Sequence, residues 1–459
     1  MSGNCKGASQ VFAAAVYIVA SLGALPACKK RQPHRNSLAL SVVRHDENTE
    51  SWMARCEQEF EAAHPDIDLV VSVLDADDLL RALSGPAPSS IPAADVAIVP
   101  DAAVAEYAAR GELLHPSDYY PAYAGEFLDL AIRMATYSGA PVAVPVGLSV
   151  YGLYYNRGLL QAAGKPPPHT WAELLDAARA TTRTGEGVYG LSLQTTGAEA
   201  AALWYAFTSS AGGEVVTADG EWAGSTQEAL KALRFLADLV ADESITDPAD
   251  IGASAEAIWD KFANGEAAMT VAPTEARRQI EGTAEPIEYG VAAVPGDPSA
   301  VSLATAEHLV VFADTSHRQA AAAFVAFFFE DRRHLDWAKT FSVLPTKRSV
   351  AEPAPPIPPS PAPAREPEPA NAEEALLEAV PLREDPSWKQ HFDLLQVARF
   401  VPFCPNRREM DEIVGDTLFE VYSGTKSPQE AVAEMEASLG ARLGGDAAMS
   451  PADPVRFRS

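Results

Sequence analysis

Proton transfer, nucleophilic attack and metal ligation each tend to leave a local pattern in a chain. The 459 residues contain no Gly-rich phosphate loop, no HExxH, no CxxC and no GxSxG, so none of the corresponding catalytic arrangements has a local signature. His45, Asp46 and Glu47 are adjacent, but consecutive side chains diverge, and a metal there would need ligands from elsewhere. What remains is a set of single carboxylates, imidazoles and hydroxyls where apolar runs end. Ligands of α/β folds settle beyond the carboxyl ends of parallel strands, where chain reversals open a crevice. That rule nominates Arg44, His45, Asp101, Gly147, Ser149, Tyr151, Glu275, Glu307 and His308 as ligand-binding residues. These are groups for holding a solute, so the expectation is a binding protein, with no catalytic residue, no metal and no cofactor.

A sugar ligand also calls for a flat apolar face beside the carboxylates. Trp204, which starts an otherwise small-residue helix ahead of Tyr205 and Phe207, is the candidate cleft wall, with core packing equally open for it. Trp171, Trp222 and Trp259 read as structural, and the pairs Tyr119–Tyr120 and Tyr154–Tyr155 as packing.

Those positions depend on the elements that carry them. SLALSVV (37–43) reads as a first strand, followed by a helix over 51–63 that Pro65 stops. IDLVVSVL, DADDLLRAL, ADVAIVP and DAAVAEYAARG continue as strand, helix, strand, helix, an alternation that implies parallel βαβ units. In PVAVPVGLSVYGLYYN, Pro145 and Gly147 divide the extended run into two short strands. Thr170 and Glu173, and again Ser225 and Glu228, have capping-box spacing. VYGLSLQ reads as a strand and AAMTVAP as another that delivers Glu275. HLVVFAD returns to the first sheet under the helix AAAAFVAFFFE. Ser427, Pro428 and Glu430 are three agreeing signals for a late helix packed on the second lobe.

Length and composition bound the rest. The formal net charge is −28, which argues against nucleic acid as a partner and favours a soluble monomer. Residues 1–27 carry one Lys and an apolar run from Val11 to Ala24, then Leu25, Pro26, Ala27 and Cys28. That is the pattern of a secretory signal ending at a lipid-modifiable cysteine, too short to span a bilayer. Residues 29–36 form a basic tether. Cys56, four residues from both Trp52 and Phe60, reads as a buried thiol, and pairing with Cys404 stays open. Residues 351–370 are Pro-rich and read as a solvated loop.

Four segments in order, YSGAPVAVP, YYNRGLLQAAG leading to PPPHTW, FANGEAAM and LPTKRSV, resemble the extracellular solute-binding proteins, the maltose-binding-protein-like sugar receptors of ABC transporters. The resemblance covers most of residues 38–440. It implies a two-lobed α/β fold of the periplasmic-binding-protein type, each lobe a mainly parallel sheet flanked by helices, with a hinge and a central cleft. The divisions it implies are a signal peptide (1–27), a lipid-anchored tether (28–36), lobe 1 (37–147 and 304–346), lobe 2 (148–303 and 371–445), a hinge return with the Pro-rich insertion (347–370) and a flexible tail (446–459). It further implies an extracytoplasmic lipoprotein, at the periplasm or cell surface, that delivers a small solute, a sugar first, to an ABC permease. The alternatives are a sensing module that reports to a receptor or scaffold, and a receptor for a cationic solute or metal ion. Ala306, Glu307 and His308 stand where relatives carry a Gly-rich crossing, and Glu307 with Glu275 would also suit a cation such as a polyamine.

Overall fold

The structure, a computed structural model, describes residues 36–84, 93–352, 382–404 and 406–440. The signal segment, Cys28, the tether, the Pro-rich tract beyond Glu352 and the tail lie outside the described residues. Among those described, no helix is long and apolar enough to cross a membrane.

Six of the seven residues of β1 (Ser37–Val43) are buried, as a central parallel strand requires. It pairs in parallel with β2 (Asp68–Leu74) on one side and β3 (Val96–Pro100) on the other. Two further strands of this lobe region, β4 (Thr136–Tyr137) and β5 (Ala140–Pro141), form a separate small hairpin. The helix between β1 and β2 begins at Asn48, three residues earlier than its apolar pattern suggests, and ends at Ala63. Its Trp52, Cys56 and Phe60 pack with Phe324, Phe328 and Trp337 in the core of the first lobe.

The organising element is β6 (Val144–Asn156), one strand of 13 residues and not two short ones. Pro145 has no N–H to give to a ladder, yet it is accommodated because the register against the neighbouring strand shifts there, between Pro145 and Gly147. Gly147 is required by space: a Cβ would lie 2.7 Å from Cγ2 of Val343. Along its first half β6 pairs with β9 (Ser302–Val311), and from Gly152 onward with β7 (Met269–Ala272) and β8 (Tyr289–Ala292). β9 in turn pairs with β3, and the short strands β10 (Leu344–Pro345) and β11 (Ala398–Arg399) join β6 and β9. The strands β6 and β9 therefore run through both halves of the molecule.

The second core gathers the helices Trp171–Thr181, Gly197–Ser210, Gln227–Ala241, Arg407–Tyr422 and Pro428–Met435. The expected capping box at Thr170–Glu173 is formed, and the expected cap at Ser427 is a capping box with Glu430, each satisfying two orphan N–H groups for about 1 kcal/mol. The cap at the third helix is Thr226, one residue beyond Ser225. Ser225 instead accepts from Nε1 of Trp222 at 3.1 Å and donates to Glu436. The VYGLSLQ segment forms no extended ladder: it makes isolated bridges, antiparallel at Val188 and parallel at Tyr189, Leu191 and Ser192. Cys56 and Cys404 are free buried thiols in separate cores, so they form no disulfide. Burial pushes them up to about 12 and about 11.

Candidate functional site

A cavity of about 600 Å³ opens where the two halves meet at the hinge strands. One wall comes from the end of β3 and the start of the helix Asp101–Ala109, the floor from β6 and β9, and the opposite wall from Glu275, Gly197, Ala198 and the helix Arg407–Tyr422. None of the described residues that line it is aromatic.

Asp101 follows Pro100 directly, so the end of β3 aims it across the sheet. Its Oδ1 lies 2.6 Å from Nε2 of His308, and its Oδ2 accepts from the Ala306 N–H at 2.9 Å. His308 is fully buried and is a support for Asp101. Glu307 stands between Pro100 and Gly147 in the sheet register, with its Oε2 3.2 Å from Nε2 of His45. The His45 ring is wedged against Trp337 and Phe341, at 5.4 and 4.7 Å between centroids. Burial works against the imidazolium, but the carboxylates of Glu307, Glu275 and Asp46 outweigh it and hold His45 above its ordinary value.

Glu275 is delivered by the end of β7 from the other half. Ser149 donates its hydroxyl to Glu275 and accepts from the Thr274 N–H at 3.3 Å. Thr274 is pinned to β6 through the Val150 N–H at 3.0 Å. Glu275 keeps some surface toward the cavity, but protein surrounds it. Burial, with the charge of Glu307 added, pushes its carboxyl up to about 7 against the Ser149 hydroxyl, its own N–H and His45. Tyr151 packs on the second core, and burial raises its hydroxyl, with Glu199, Glu275 and Asp411 adding to the effect.

Besides Tyr151, two expected residues are elsewhere. Arg44 turns away from the cavity to pair with Glu50 and Asp75, the latter at 2.8 Å. Trp204 is no cleft wall: its helix starts at Gly197, and the indole is fully buried in the second core. Its Nε1 donates to the Ala229 carbonyl at 3.1 Å, and its ring meets Tyr205 and Trp222. An apolar ring on a helix packed on several sides is consumed by the core.

The strand-end rule misses the helical wall. Nε of Arg407 reaches both oxygens of Asp411, at 2.9 and 3.0 Å, the Tyr205 hydroxyl donates to the same carboxylate at 2.8 Å, and the guanidinium lies over the Tyr205 ring. Arg408 pairs with Glu412 one position on, at 2.7 Å. The signal was the doubled i,i+4 pattern in NRREMDE. This helix approaches the cavity closely because Gly415 lets it touch the neighbouring helix start, a Cβ there falling 2.6 Å from the Gly197 carbonyl. Across the cleft mouth, Arg278 forms an ion pair with Asp46 and donates to the Thr340 carbonyl. Among the described residues no group of three or more His, Cys, Asp or Glu is placed to hold a metal ion.

Residues 57–367 match the sequence profile of the bacterial extracellular solute-binding proteins. A binding protein of Brucella abortus (strain 2308) is 25% identical over 410 residues, 88% of this chain and 92% of that one. Among solved structures, the GacH receptor of Streptomyces glaucescens, known unliganded and with acarbose, shares the fold at a TM-score of 0.71 and 23% identity, over 89% of this chain and 99% of that one. An ABC transporter solute-binding protein from Thermotoga lettingae, bound with α-D-tagatose, superposes at a TM-score of 0.72 and 21% identity, over 89% of this chain and 100% of that one.

Proposed function

The chain belongs to the bacterial extracellular solute-binding proteins, the solute receptors of ABC transporters, and on that premise we propose that the solute enclosed in its cleft is a sugar or polyol. The observation that carries the reading is the cavity at the hinge, lined from both halves by hydroxyl- and carboxylate-bearing side chains, Asp101 and Ser149 on one side and Glu275 and Asp411 on the other. Carboxylates are acceptors for solute hydroxyls, and about 600 Å³ is within the range of small-molecule sites. The sugars named with the solved relatives support the same class. Capture works by hinge closure: a solute that touches both halves has higher affinity for the closed state, and only that difference shifts the population. Bond breaking is not part of this reading.

Titration calorimetry with a panel of mono- and oligosaccharides and polyols tests it. A solute present at 100 times its dissociation constant also adds about 2.7 kcal/mol to stability, a clear rise in melting temperature. Absence of binding across the panel would overturn the sugar-or-polyol reading.

The family places the protein outside the cytoplasm, at the periplasm or surface. The reading includes a lipid anchor on Cys28, motivated by Leu25, Pro26 and Ala27 after a short apolar run. Replacement Cys28→Ala is expected to release the protein from membranes. A variant that still sediments with membranes and keeps the added lipid mass would refute the anchor. Delivery to the permease completes the reading, with the receptor acting as a monomer.

A further inference from the structure

The cavity wall holds more negative charge than the protein balances. Six carboxylates line it, those of Asp101, Glu275, Glu307, Asp411, Glu412 and Asp416, against two guanidinium groups. Both guanidinium groups are already engaged, Arg407 with both oxygens of Asp411 and Arg408 with Glu412. Asp101 is occupied by His308 and the Ala306 N–H. Beside the floor this leaves Glu275 and Glu307 sharing one imidazole, His45, so with both carboxyls ionised even a fully protonated His45 leaves an excess negative charge, and an ammonium seated there would favour the ionised form of Glu275. The 3.2 Å approach of His45 to Glu307 is not aligned as a hydrogen bond, and both atoms, Nε2 and Oε2, are buried without a hydrogen-bond partner. A buried acceptor in that condition gains from any donor a ligand brings.

We propose that the solute this cleft is built for bears a protonated amine that seats between Glu275 and Glu307, an amino sugar or amino polyol in place of a neutral one. The proposal rests on the sugar-or-polyol reading and narrows it. A primary or secondary ammonium donates two or more N–H groups, and hydrogen bonds to charged acceptors are about twice as strong as neutral ones. A quaternary ammonium fits less well, because such ions are held by aromatic faces and none of the described lining residues supplies one.

The test uses matched pairs on the unmodified protein: glucose against glucosamine, galactose against galactosamine, and sorbitol against 1-amino-1-deoxysorbitol, by titration calorimetry at pH 7. The amino member of at least one pair is expected to bind tenfold or more tightly than its neutral partner, with the ratio shrinking as salt is raised. In Glu275→Gln and Glu307→Gln proteins the ratio is expected to collapse toward one. Neutral members that bind as tightly as the amino members would overturn this proposal and leave the sugar-or-polyol reading standing, as would a preference that survives both substitutions together. No binding by any member of any pair overturns this proposal, and the sugar-or-polyol reading falls with it only when the wider panel of saccharides and polyols also shows no binding.

Discussion

Glu275 is the residue whose environment is most at odds with its charge. Its carboxyl is pushed up to about 7 by burial, with Glu307 adding to the effect, while Ser149, its own N–H and His45 pull the other way. A carboxyl with a raised folded-state value binds its proton more tightly in the native state, so its contribution to stability is greatest at low pH. That contribution is lost as pH rises from about 4.5 through about 7. His334 and His391 act in the opposite sense: burial pushes both down to about 4, so their contribution is fully present above about 6.5 and is lost as pH falls from there toward about 4. The comparison that isolates Glu275 is therefore the difference between the natural protein and Glu275→Gln in urea unfolding. That difference is expected to fall by up to about 3 kcal/mol between pH 4.5 and 8 and to be flat above. A difference that does not change with pH would show that Glu275 is not buried as a charge. Residue type alone did not reveal this: Glu275 was legible as a strand-end carboxylate, but its raised value depends first on burial and then on Glu307, and both come from the tertiary packing at the antiparallel hinge strands. Trp204 failed in the reverse direction, because a ring flanked by small residues reads the same whether the small residues clear a cleft or admit close helix packing.

At the scale of elements, what could be read was whatever is encoded within a few residues. The capping boxes of Thr170 and Ser427 formed as spaced because both partners lie in one turn. The Ser225 reading missed by one residue because Thr226 offers the same hydroxyl, and Ser225 found partners in Trp222 and in Glu436, more than 200 positions away. The break at Pro145 looked like a strand end, yet the bulge absorbed it, since the missing N–H falls where the ladder is already irregular. The strand-end rule brought His45, Asp101, Gly147, Ser149, Glu275, Glu307 and His308 to the hinge. It misplaced Arg44, which sits one position from His45 and so points the other way, toward Glu50 and Asp75. The Arg407–Asp411 wall was invisible to it, because a helix reaches the cleft through packing at Gly415 and not through the end of a strand.

For the whole molecule the question is what holds the two halves together around the cavity. The strands β6 and β9 are continuous through both, and His334, donating its Nε2–H to the Val146 carbonyl at 2.9 Å, with the Thr346 hydroxyl donating to the Pro145 carbonyl at 2.7 Å, braces the bulge. Beyond the hinge, the Asp46–Arg278 pair joins the loop after β1 to the short helix after β7, with Arg278 also holding the Thr340 carbonyl at 3.3 Å. Arg278 is 42% exposed, so the pair is worth on the order of 0.2 to 1 kcal/mol. That is small for folding, yet 1 kcal/mol is about a fivefold change in an open-to-closed ratio. Replacing Arg278 by Ala is expected to shift the unliganded protein toward open forms, seen as a larger radius of gyration in solution scattering, and to weaken solute binding up to about fivefold, the cost of closing a more open population. Arg278→Lys is expected to restore part of both, and 0.5 M salt to mimic the Ala variant in the natural protein. If Arg278→Ala leaves scattering and affinity unchanged while its melting temperature also holds, the pair is a surface contact and the hinge strands alone set the balance between open and closed.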